Sequence, residues 1–183
     1  NYGDRVSNMF MANAFLQIDN LGLKGLSFRA QYGARADYSE NTSYLPVYFV
    51  SANQQRQRSQ LTVERPKRSS WLGNAYFMYN NTFSKDHNLG LTLGTELQER
   101  SNTSFSAEAM DIPEAENMWY LSQTADKTSY TASHSGSKYS MASFFARANY
   151  SYANKYLFTG TIRADGSSKF IEKWGYFPSF SLG

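Results

Sequence analysis

The chain of 183 residues contains no cysteine. Disulfides, zinc–thiolate centres and cysteine nucleophiles are therefore excluded, although compartment is not decided, because a strand-paired barrel needs no covalent staple. There are 2 histidines, His87 and His134. They are expected in a short turn and a long loop at opposite ends of the sheet, so they cannot share a site. No apolar run approaches eighteen residues, which excludes a membrane-spanning helix. The opening Asn1-Tyr2-Gly3-Asp4-Arg5 has no signal-peptide pattern and no initiator methionine. A processed or partial chain is the expectation. Gly-x-Ser-x-Gly elbows, His-Glu-x-x-His pairs and glycine-rich phosphate loops are also missing. The reading is of a protein that is not an enzyme and holds no cofactor or metal. A net charge of +3, with no basic stripe interleaved with aromatics, gives no sign of nucleic acid.

What is abundant is aromatic surface in a polar chain. Aromatics make up 16% of residues, with 14 Tyr and 13 Phe, yet hydrophobic residues are only 41% and mean hydropathy is −0.57. That combination suits strands whose alternate residues face lipid and water. Secreted β-sandwiches can share it.

Period-two alternation marks strands at about 8–18, 26–38, 70–83, 89–100, 139–152, 156–164 and 176–183. In 26–38, Leu26, Phe28, Ala30, Tyr32, Ala34, Ala36 and Tyr38 share one face. Arg29, Arg35 and Asp37 share the other. Buried charges need water or partners, and a water-filled lumen supplies both. Glu96, Gln98, Arg100, Arg147, Arg163 and Asp165 fall on the equivalent polar face, so this set is the candidate lumen lining. The bland alternative is that these charges only pair across neighbouring strands. Trp71, Trp174, Tyr176 and Tyr38 stand near one end of their strands and are candidates for an interfacial aromatic girdle.

Short connections at 19–25, 84–88 and 153–155 alternate with long ones at 39–69 and 101–138. Outer-membrane barrels sort their loops this way, with tight periplasmic turns and long external loops. The first long loop is basic (Arg56, Arg58, Arg65, Lys67, Arg68) and is a candidate contact for a partner lipoprotein, substrate or lipopolysaccharide phosphate. The second is acidic (Glu108, Asp111, Glu114, Glu116), with spacing that does not fit an EF-hand, and part of it is expected to form a short helix. Tyr44, Tyr48, Phe49, Trp119 and Tyr120 are alternative stacking platforms for sugar rings. Asp165-Gly166-Ser167-Ser168 reads as a tight turn.

The residues Tyr156-Leu157-Phe158-Thr159, Arg163-Ala164-Asp165-Gly166-Ser167-Ser168-Lys169-Phe170 and Trp174-Gly175-Tyr176-Phe177-Pro178-Ser179 resemble the SusC/RagA family of TonB-dependent outer-membrane transporters of the Bacteroidetes. The match is dense over 150–183 and only general before it. The resemblance implies a piece of a large antiparallel transmembrane β-barrel, about six strands plus the start of a seventh, not closed by this stretch. The family's plug domain and TonB box have no counterpart here. It also implies a Gram-negative outer-membrane location and contact with outer-membrane lipid. The implied activity is import of oligosaccharides or peptides beneath a SusD-like surface lipoprotein, energised by TonB. A small self-contained barrel acting as adhesin or passive pore, and a soluble carbohydrate-binding sandwich, are the competing architectures.

Overall fold

The computed structural model describes residues 2–183. Its strands are β1 (Tyr2–Asp19), β2 (Leu26–Leu45), β3 (Tyr48–Ser51), β4 (Gln54–Arg56), β5 (Gln60–Phe83), β6 (His87–Met110), β7 (Thr131–Tyr152), β8 (Tyr156–Ser167) and β9 (Trp174–Leu182). Apart from the β3–β4 hairpin, they form one seven-stranded sheet in the order β1-β2-β5-β6-β7-β8-β9. Neighbours in sequence are neighbours in the sheet, as short turns require of an up-and-down meander.

By contact density the chain divides into two compact units. One comprises β1 through Phe10, Ala36–Ser69 and Ser101–Ser137; the other comprises Met11–Arg35, Ser70–Arg100 and Lys138–Gly183. The second unit holds the short turns, and their backbones are tightly specified. Gly25 has φ +85°, and its carbonyl accepts a hydrogen bond from the Asn80 amide at 2.9 Å. Ser84 and Lys85, and then Ala153 and Asn154, occupy consecutive left-handed positions, the backbone twist that two-residue hairpin turns favour.

In this unit β7 and β8 pair from Tyr152↔Tyr156 up to Met141↔Ser167, and β8 and β9 from Phe158↔Leu182 up to Gly166↔Trp174. The apolar face carries Phe28 packed on Phe77 with ring centroids 4.9 Å apart, along with Leu91, Leu93, Ile162 and Phe180. A soluble sandwich would cover such a face with a second sheet. Here Leu93 and Phe180 are 62% and 73% exposed.

The first unit contains the buried cluster among the described residues: Tyr44, Leu61, Ala109 and Ile112, with Val63, Trp119 and Leu121 packed against it.

The strands extend further than alternation suggested. The connections expected at 39–69 and 101–138 shrink to 46–59, itself carrying the β3–β4 hairpin, and 111–130; His134 consequently stands in β7 rather than in a loop. The 111–130 segment contains short 3₁₀ turns at Glu116–Met118, Leu121–Gln123 and Lys127–Ser129 instead of one helix. Asp165-Gly166-Ser167 is also strand, not turn: Asp165 pairs with Gly175 and Gly166 with Trp174. The reversal lies at 168–173. Glycine at 166 serves a close approach, since a β-carbon there would come within 3.1 Å of the Trp174 ring.

Candidate functional site

The polar face of β6, β7 and β8 gathers several of the expected lumen residues around one guanidinium. Arg163 Nε donates to Asp165 Oδ1 at 2.7 Å and Arg163 Nη2 to Ser143 Oγ at 3.2 Å, while Glu96 Oε1 lies 3.7 Å from Nη2. The register explains this convergence. Ser143 stands opposite Asp165, and Phe145 opposite Arg163, so side chains at i and i±2 share a face within reach of one another. Nearer the short turns, Asn149 Oδ1 accepts from Arg147 Nε at 3.0 Å and from Thr159 Oγ1 at 3.1 Å.

The remaining candidates sit on the same face in local pairs. Gln98, with its amide oriented to accept, takes Arg100 Nε, and Gln31 likewise takes Arg29. Arg29 also lies over the Phe15 ring, 5.6 Å from its centroid. Arg35 and Asp37 are engaged as well. The polar face is thus a half-exposed array of guanidinium groups held by amides and carboxylates. Such an array can exchange its internal hydrogen bonds for bonds to a polar solute.

The girdle candidates lie on β2 (Tyr38), β5 (Trp71) and β9 (Trp174 and Tyr176). Trp174 stacks near Phe144 with centroids 5.9 Å apart, Trp71 near Tyr32 at 6.2 Å, and Tyr38 and Tyr176 are exposed.

Sequence reasoning missed how the long loops are held. Arg58, grouped with a solvated basic run, is the hub of unit one. Its Nη2 lies 2.6 Å from Asp111 Oδ2 and 2.6 Å from Asp126 Oδ2, and its Nε reaches both Asp111 oxygens at 3.0 Å. Asp111 Nα also donates to the Ser59 carbonyl at 3.0 Å. Beneath this clamp, the Ile112 carbonyl accepts from Ser59 Oγ at 2.7 Å and Tyr44 Oη at 3.2 Å. Of the aromatics proposed as stacking platforms, Tyr44 is excluded. It is 2% exposed and stacks on Trp119, centroids 4.8 Å apart. Tyr48, Phe49 and Tyr120 remain exposed.

The two flanking carboxylates raise the Arg58 pKa, Asp111 most of all, so this side chain stays charged. The Asp126 carboxyl is held below its usual range, first by the Thr128 hydroxyl and next by Arg58. A depressed folded pKa gives stabilisation that is present above the unfolded value of about 3.9 and lost as pH falls through the folded value. Protease resistance of 111–130 should therefore be flat from about pH 8 to 5 and decline only below about 4. Loss near neutrality, measured by limited proteolysis across pH, would remove the clamp from this account.

No protein-family profile matches the chain. TonB-dependent receptor P3 of Formosa agariphila is 28% identical over 181 residues, covering 98% of this chain and 18% of that protein. TonB-dependent receptor SusC of Bacteroides thetaiotaomicron is 56% identical over 45 residues, 24% of this chain and 4% of that protein. The solved structure of the RagAB peptide transporter superposes with a TM-score of 0.87 at 22% identity, covering 98% of this chain and 20% of that one. That likeness is one of fold. The chain spans about a fifth of the length of these long-matching relatives.

Proposed function

This chain is SusC/RagA-like TonB-dependent receptor sequence, folded as part of an outer-membrane barrel, and from that premise we propose that it forms wall and outer loops of an importer for oligosaccharides or peptides. The carrying observation is the two-faced sheet: exposed Leu93, Ile162 and Phe180 on one side, and the Arg163–Asp165–Ser143–Glu96 array on the other. The first face meets lipid, and the second lines the path. Trp71, Trp174, Tyr38 and Tyr176 form the girdle at the outer interface.

The edges β1 and β9 cannot stand unpaired in hydrocarbon, so further strands complete the barrel. Transport is non-covalent. A solute is captured beneath a SusD-like lipoprotein, a plug is remodelled by TonB, and the arginine array exchanges its internal hydrogen bonds for bonds to the solute. The RagAB proteins form a peptide importer by name, which favours keeping peptides beside glycans as substrates.

The test is the native protein from outer-membrane fractions, run with and without boiling, with co-purifying lipoproteins identified. A heat-modifiable species several times heavier than the 20.8 kDa of this chain, accompanied by a surface lipoprotein, is expected. A heat-modifiable band near that mass would instead favour the small self-contained barrel. For the path itself, Arg163→Gln should slow uptake of a labelled oligosaccharide or peptide mixture by about tenfold, the scale of one lost charge-assisted hydrogen bond. Unchanged uptake would make the array purely structural.

A further inference from the structure

Unit one carries a cleft of about 480 Å³ lined by Val6, Asn8, Tyr38, Glu40, Arg65 and Lys67, with Ser39 and Pro66 between them. We propose that this cleft binds the phosphate of an outer-leaflet lipid headgroup, with Arg65 and Lys67 as its cationic lip and Val6, Pro66 and the Tyr38 ring as its apolar floor. The inference rests on the reading above, in which the apolar face looks at lipid and the long loops point outward.

Val6 and Asn8 on β1, Tyr38 and Glu40 on β2, and Arg65 and Lys67 on β5 share the register of the apolar face, while Ser39 and Pro66 line the cleft from the alternate register. The cations are held in place without being neutralised. Lys67 Nζ sits 5.1 Å from the Tyr38 ring centroid, a cation–π contact that positions the ammonium and leaves its N–H donors available. Arg65 Nε bonds Glu40 Oε2 at 2.7 Å, which occupies one of five guanidinium donors. Two cations against one carboxylate leave the lip positive.

Depth selects the ligand. Along β5 the stretch from Phe83 to Trp71 rises about 40 Å at ~3.3 Å per residue, or about 30 Å in height once tilted by ~40°. That matches the hydrocarbon thickness of about 30 Å. Lys67, four residues on, follows about 13 Å further along the strand at the same rise per residue, or about 10 Å in height at the same tilt. Its charge therefore stands among headgroups, where the available anions are lipid phosphates. An arginine can grip a phosphate by its fork while a lysine adds a point charge, and the floor accepts the apolar or sugar portion beside it.

The experiment uses the full native barrel protein in nanodiscs, read by native mass spectrometry for retained lipid. A bisphosphorylated lipid A is compared with a neutral glycolipid of similar acyl content. Retention of the phosphorylated lipid should fall at least about tenfold in the Arg65→Gln/Lys67→Gln double variant. It should be kept by Lys67→Arg and by Lys85→Gln, whose lysine lies in the β5–β6 turn. Equal retention by the double variant and the parent, equal retention of the neutral lipid, or full displacement by millimolar inorganic phosphate would each overturn the proposal. Failure of the protein to fractionate with outer membranes would instead strike the transporter reading, so the two failures are separable. Both side chains are exposed, and unchanged heat-modifiability checks that the variants fold.

Discussion

Gly25→Ala is expected to be among the most damaging single-methyl changes in the sheet. The residue combines φ +85° with a backbone that presses on β5, so an added β-carbon would be driven onto the Asn80 carbonyl oxygen. Neither obstacle can be relieved by rotating a side chain. The left-handed backbone costs an L-residue about 1–2 kcal/mol, and overpacking against immobile atoms adds about 1–3 kcal/mol. Moving the turn to make room would strain the Asn80 amide bond to the Gly25 carbonyl, now 2.9 Å. A total near 3 kcal/mol is a large share of the marginal stability of any domain. The measurement is the urea midpoint for loss of the compact, heat-modifiable form. Gly22→Ala is the control, because it shares positive φ, at +68°, but has nothing within 4 Å of the added atom. If both variants shift the midpoint equally, the close approach to Asn80 contributes nothing and backbone strain explains the whole effect.

Leu61→Ala should act on the long connections 46–59 and 111–130 and leave the strands near the short turns intact. Leu61 is fully buried, and its neighbours Tyr44, Ala109 and Ile112 are the rest of a small cluster. Leucine-to-alanine truncation at such a site costs about 2–5 kcal/mol, through lost transfer energy and the cavity left behind. A cluster this small has little else to draw on, so the whole effect should appear locally. Amide exchange in 46–59 and 111–130 should accelerate by about a hundredfold or more. Exchange near the Tyr152↔Tyr156 end of the β7–β8 ladder should not change. Unaltered loop exchange would mean that the Arg58 clamp alone holds these segments.

These two sites differ in how far sequence reveals them. The glycine-bearing turn was legible, since Asp19-Asn20-Leu21-Gly22 and Lys24-Gly25 interrupt two strongly alternating runs. Its partner across the sheet, Asn80, was not, because pairing between non-adjacent segments leaves no local mark. The Leu61 cluster lies in segments read as polar loops. The reason is physical: beyond the hydrocarbon layer both faces of a strand meet water, so alternation fades while the backbone ladder continues unaffected. Strand hydrogen bonding needs no apolar side chains, and the run Thr131–Lys138 stays extended with Ala132 as its one apolar side chain. The 165–168 turn was misplaced for a related reason. Asp-Gly satisfies a tight turn locally, but here glycine is needed beneath the Trp174 ring, and Trp174 lies in another strand.

The sequence by itself determined that this is a β-protein with one oily and one wet face, short turns at one end and long connections at the other. Period-two alternation and turn residues are local signals, and each can be read without knowing its neighbours. The same alternation assigned Arg29, Glu96, Arg147 and Arg163 to one face. Only the tertiary structure decided which of them meet: Arg163 with Asp165, Ser143 and Glu96, and Arg58 with Asp111 and Asp126. Those partnerships depend on register between strands and on loop packing. Both are set by the summed hydrogen bonding and side-chain packing of segments far apart in the chain, and no local pattern encodes them.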